Sequence, residues 1–147
     1  MTTQSPSTNG KPKFAMYWAA SCGGCEIAVL NIGDKILDVD AIFDIAFWPV
    51  AADFKYSDVR GYPDGYIDLC LFNGAIRNSE NEDIAHLLRR KSKILVAFGT
   101  CAYQGSIPAL ASLAGRWMVC RRFDSRSSSV SLSHGRLATA CSGAARR

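Results

Sequence analysis

Apolar positions along this chain gather into short runs, with amphipathic stretches between them. Phe14 to Ala20 (FAMYWAA), Ile42 to Val50 (IFDIAFWPV), Tyr66 to Phe72 (YIDLCLF) and Lys93 to Phe98 (KILVAF) each read as a strand bounded by turn residues. The fourth run is apolar enough to be buried on both faces. From Glu26 to about Val39 the pattern is helical. Val29, Ile32, Ile36 and Val39 form a stripe, Leu30 and Leu37 lie beside it, and Asp34, Lys35 and Asp38 fall opposite. Asp53 to Gly65 reads as a polar, aromatic loop with a turn signal at Pro63-Asp64-Gly65. Ser79 to about Arg90 is a second helix, with Ser79 as its cap, Glu82 three residues on, and Ile84, Leu87 and Leu88 on its apolar face.

Strands that alternate with helices predict an α/β domain with a mainly parallel sheet. Ligands of such sheets sit beyond the carboxyl ends of the strands. Cys22 and Cys25 follow the first strand and Cys101 follows the fourth. Were those two strands neighbours, three thiols would meet at one edge.

Cys22-Gly23-Gly24-Cys25 carries the strongest local signal. Two intervening residues let both sulfurs face one metal centre, and the glycines let the backbone approach it closely. Soft thiolates suit iron–sulfur clusters and zinc. The same spacing after a strand also fits a metal-free thiol–disulfide pair, or two inert buried thiols. Cys101, in Phe98-Gly99-Thr100-Cys101-Ala102, reads on its own more readily as a buried small residue than as a ligand, and its expected place beside the CxxC raises the ligand reading. Cys70, between Leu69 and Leu71, reads as core, and His86 as a solvated helix position. Glu26 complements the dipole of the helix it opens.

The net charge of +4 is unevenly spread. Residues 1–114 hold 10 basic and 12 acidic residues, whereas 115–147 hold 7 arginines, no lysine and the single acid Asp124. Residues 1–12 are polar and read as a flexible lead-in without a secretory pattern, so the expected compartment is the cytoplasm. No apolar run approaches the ~20 residues of a membrane span. Disulfides are then not expected among the six cysteines. The segment 115–147 is rich in Ser, Arg and Ala without a clear period. It reads as a disordered basic tail whose abrupt change of composition suggests a shifted reading frame. The domain upstream offers no basic patch, so no nucleic-acid partner is expected.

The segments SCGGCEIAVL and LFNGAIRNSENEDIAHLLRRKSKILVAFGTCAYQGSIPAL, in that order, resemble the small subunit of nickel–iron hydrogenases, in particular the coenzyme F420-non-reducing branch. The cluster-carrying small subunit of NADH:quinone oxidoreductase is a relative of that family. The resemblance runs from about Lys13 to Ala114. It implies a flavodoxin-like fold over 13–114, incomplete at its C-terminus, and a proximal 4Fe-4S cluster. Cys22, Cys25 and Cys101 match three of the four cluster cysteines. It further implies electron transfer within a multi-subunit oxidoreductase, with a large catalytic subunit and other redox subunits as partners, and a glutamate at the position of Glu26 that can lie beside the partner's active site. Backbone amides near Gly23, Gly24 and Ala102 are the expected hydrogen-bond donors to sulfur. The aromatic group Trp48, Pro49, Phe54 and Tyr56 is the expected partner surface. The chain departs from the family in two places. The family's fourth cysteine lies downstream in a Gly-Cys-Pro-Pro-like segment that this chain lacks, and Gly105-Ser106 stands where two glycines often precede Ile-Pro.

Overall fold

The computed structural model describes residues 10–110. The expected flexible lead-in and basic tail therefore lie largely outside the described residues. Four strands are present: β1 (Lys13–Trp18), β2 (Asp44–Phe47), β3 (Ile67–Asn73) and β4 (Ser92–Phe98). They form one sheet in the order β2-β1-β3-β4, and every pairing is parallel. This is the doubly wound, flavodoxin-like order, in which the chain reverses its direction of sheet growth between the first and third strands.

Side chains alternate across the strands and feed two cores. Ala15, Tyr17, Cys70 and Phe72 point to one face, where Val59, Ile84, Leu87 and Leu88 close over them. Phe14, Met16 and Trp48 lie on the other face with Val29, Ile36, Leu69 and Leu71. The first face is covered by α3 (Tyr56–Gly61) and α4 (Ser79–Lys91), the second by α1 (Gly24–Leu30) and α2 (Ile36–Ile42). Two short helices, α5 (Thr100–Gln104) and α6 (Ser106–Ala109), follow β4. No helix among the described residues is long and apolar enough to cross a membrane.

Several local expectations are corrected. The single helix expected from Glu26 to Val39 is broken into α1, a 3-10 turn at Gly33–Lys35 and α2. Gly33 takes a φ of 65°, a left-handed conformation that an α-helix cannot contain. The break rotates the apolar stripe, so Val29 and Ile36 pack inward while Ile32 and Leu37 are exposed. The second strand is shorter than expected, because Ile42 closes α2 and Trp48 begins a turn. The expected loop contains α3, whose start is held by the Lys55 amide donating to Asp58 Oδ2 at 2.9 Å. Asn78, not Ser79, caps α4, its side chain accepting from the Asn81 amide at 2.8 Å. Finally, β4 pairs only with β3 among the described residues, and Ile94 is exposed rather than buried on both faces.

Candidate functional site

The carboxyl ends of β1 and β3 mark the point where the sheet reverses, and the chain is drawn together there. The Ala19 amide donates to the Asn73 carbonyl at 2.7 Å, and Ala20 and Ala75 exchange hydrogen bonds at 3.1 and 2.9 Å. Such close approach requires Gly74: its φ is 104°, and a Cβ there would lie 2.9 Å from the Ala19 carbonyl carbon and from the Ala20 nitrogen. The loop after β1 then turns into α1 through Ser21-Cys22-Gly23-Gly24-Cys25. The Ser21 hydroxyl accepts from the Gly23 amide at 3.2 Å, and the Trp18 indole donates to the Ser21 carbonyl at 3.3 Å. Gly23 (φ 80°) lies flat against that indole, and a Cβ on it would stand 2.6 Å from the ring.

β1 and β4 are not neighbours, as the simplest route to thiol convergence would require; β3 lies between them. The thiols approach all the same, because the loop after β1 reaches across the end of β3. Gly99, between β4 and α5, has no side chain, and Cys25 Sγ fills the space where one would begin. Cys101 follows two residues later and is buried, Cys25 is half-buried and Cys22 is exposed. Burial pushes the Cys25 thiol up, and Cys101, Cys22 and Glu26 add repulsion between negative charges. Cys25 is thus the thiol whose ionisation its neighbours oppose. Among the described residues, no group of three or more His, Cys, Asp or Glu side chains could hold a metal ion around one point.

Other residues singled out in the sequence fall elsewhere. Cys70 is fully buried in the first core, where desolvation pushes its thiol up to about 12. His86 and Arg77 are exposed. Glu26 opens α1 as expected but is only 1 % exposed, so its role is not a solvated dipole partner. Its carboxyl is raised by burial, an effect partly offset by the Trp48 indole, which donates to Oε2 at 3.4 Å. Its Oε1 has no partner. The expected partner surface is also corrected. Trp48 is buried, and Phe54 and Tyr56 pack against the first core, because the missed helix α3 folds this segment onto the sheet. The exposed large apolar groups nearest the cysteine loop are Trp18, Ile27 and Leu30.

Two of the expected donors to sulfur are already committed. The Ala102 amide bonds the Gly99 carbonyl at 3.1 Å, and the Gly23 amide bonds Ser21 Oγ. Sequence reasoning missed Asn73, which it used only as a turn signal. Asn73 ends β3, is fully buried, and neither its Oδ1 nor its Nδ2 has a hydrogen-bond partner among the described residues.

Comparison with known proteins places the chain in context. The family described as NADH ubiquinone oxidoreductase, 20 Kd subunit, matches residues 22–132, reaching into the segment that the composition change sets apart. An iron-sulfur subunit of the F420-non-reducing hydrogenase from Archaeoglobus profundus is 44 % identical over 102 residues, covering 69 % of this chain and 32 % of that protein. A vhu subunit of the F420-non-reducing hydrogenase from Methanocaldococcus jannaschii is 42 % identical over 101 residues, covering 69 % of this chain and 33 % of that protein. The chain therefore spans about a third of the length of these curated relatives. Among solved structures, a chain of the NAD+-reducing [NiFe]-hydrogenase in its H2-reduced state superposes with a TM-score of 0.61 at 29 % identity, covering 70 % of this chain and 53 % of that one. With the parallel β2-β1-β3-β4 sheet and the cysteines at its carboxyl edge, these likenesses identify the chain as a member of the NADH ubiquinone oxidoreductase 20 Kd subunit family, hydrogenase small-subunit-like in kind.

Proposed function

We propose that this chain is an electron-transfer subunit of a multi-subunit oxidoreductase of the hydrogenase type, in which Cys22, Cys25 and Cys101 hold a 4Fe-4S cluster with a fourth ligand from outside residues 10–110. The observation that carries the reading is the seating of Cys25 Sγ against Gly99, which brings the two cysteine segments to one edge. The donor set fits the group. Three free thiols on two segments that meet where Cys25 Sγ lies against Gly99 offer the soft sulfur ligands that suit an iron core. When bound, such a cluster supplies one-electron redox capacity. The chain's own residues exclude water beneath it with Asn73, Gly74 and Ala102, all buried. Gly24 leaves the loop backbone uncovered beside Cys22, while Gly23 lies under the Trp18 indole, which shields one flank of the loop.

The same reading assigns a large catalytic subunit as partner, with further redox subunits to donate or accept electrons. Trp18, Ile27 and Leu30, exposed beside the cysteine loop, suit a contact surface. The rival, a metal-free thiol–disulfide pair at Cys22 and Cys25, leaves Cys101 idle.

Anaerobic purification from the native host tests both halves of the proposal. The protein is expected to be brown, with broad visible absorption from sulfur-to-iron charge transfer, and to bring down a larger subunit. A colourless protein carrying stoichiometric zinc would overturn the cluster, and a clean monomer at all concentrations would overturn the partner.

A further inference from the structure

We propose that the Asn73 side-chain amide donates a hydrogen bond to a sulfur of the bound cluster and raises its reduction potential; the inference rests on the cluster reading above. Asn73 is fully buried, and both its polar side-chain atoms are unpartnered among the described residues. Burying an amide without a hydrogen bond costs about 1–3 kcal/mol, so buried polar groups are almost always matched. Its position says what would match it. A Cβ on Gly99 would lie 3.9 Å from Asn73 Oδ1 and would overlap Cys25 Sγ, so the carboxamide and the thiol border the same space.

Several backbone groups around that space are engaged with one another. The Asn73 carbonyl accepts from Ala19, and Ala20 and Ala75 bond each other. The Ala102 and Tyr103 amides both go to the Gly99 carbonyl, and the Gly23 amide goes to Ser21. A group held by the three cysteines would give Asn73 a partner at this place. Thiolate and sulfide sulfurs are acceptors, and a carboxamide can turn its NH2 toward them. Reduction adds negative charge to the cluster. A neutral donor favours that state without introducing a charge of its own, so it moves the potential upward.

The test uses the full chain, purified anaerobically with its cluster. Asn73→Leu keeps the number and branching of the side-chain heavy atoms and removes the donor. It is expected to retain the iron content of the wild type while the midpoint potential falls, by about the ~59 mV of a tenfold change in a one-electron equilibrium. An unchanged potential at full iron content overturns the proposal. Should Asn73→Leu fail to fold or load, the wild type decides. With 15N in its asparagine side chains, the reduced protein is expected to show nitrogen hyperfine coupling to the cluster spin in pulsed electron paramagnetic resonance. Of the other four asparagines, Asn31 and Asn78 are exposed, Asn81 is bonded within the α4 cap, and Asn9 lies outside the described residues, so the measurement is made in an Asn9→Gln background, where the coupling reports Asn73. Its absence overturns the proposal. A wild type that holds no iron at all instead overturns the cluster reading itself, which separates the two failures.

Discussion

Cys25 Sγ occupies the place where a side chain on Gly99 would begin, and this contact joins the loop after β1 to the end of β4 across the intervening β3. Gly99→Ala sets a methyl group against that sulfur. It also forces a residue with a Cβ into a φ of 85°, which costs at least ~1 kcal/mol. The variant is expected to keep its far-ultraviolet circular dichroism and lose most of its iron, measured by metal analysis after anaerobic purification. Full iron retention would show that the two segments do not share a site.

Cys70 is a core residue rather than a ligand. Its thiol ionises only near about 12 in the fold, against 9.0 for an exposed cysteine, because burial disfavours the thiolate. The native state therefore keeps a proton that the unfolded chain releases, and stability is expected to fall as the pH rises above about 9. Cys70→Ala is expected to remove that part of the alkaline slope and to cost about 1 kcal/mol from the lost sulfur contacts. Denaturant melts at pH 8 and 10 check both, and iron content is expected to stay unchanged.

At the other end of the sheet Asp68 ties three strands together. It accepts from the Lys13 amide at 2.7 Å and from Lys93 Nζ at 2.6 Å, and these bonds hold its carboxyl below the usual 3.8. A carboxyl depressed by folding stabilises above its unfolded pKa and loses that contribution as the pH falls through its folded value. Asp68→Asn is thus expected to lower stability at pH 7 and to flatten the loss of stability below about pH 4, as read by thermal melts from pH 7 to 2.

Ser106 takes a φ of 38° directly after Gly105, at a position where the family often carries a second glycine. A non-glycine residue in this region costs roughly 1–2 kcal/mol. Ser106→Gly is expected to stabilise the fold by up to ~1 kcal/mol, since glycine's extra freedom in the unfolded chain offsets part of the relief. A lower unfolding midpoint for the variant would contradict the strain.

The strands and α4 were legible because their apolar periods are unbroken and their ends carry turn residues. The break at Gly33 was not, because the apolar period runs through it and only the backbone conformation reveals it. Likewise α3 hides in a polar stretch whose apolar face is little more than Val59, backed by Tyr56 and Tyr62. Missing α3 left Phe54 and Tyr56 without a cover, and the burial of Trp48 on the opposite face depends on its packing with Phe14, Met16, Val29 and Ile36, so all three read as a partner surface. The cysteines stood out through spacing, and the resemblance joined them. Nothing local shows that Asn73 lies beneath them, because that depends on β3 sitting between β1 and β4.

The most direct test of the central claim is iron and sulfide content in the anaerobically purified chain and in Cys101→Ser, with Cys70→Ala alongside. A cluster held by Cys22, Cys25 and Cys101 predicts about four irons per chain in the wild type and in Cys70→Ala, and loss of most of that iron in Cys101→Ser. An iron-free wild type, or a Cys101→Ser variant that keeps full iron, would contradict the account.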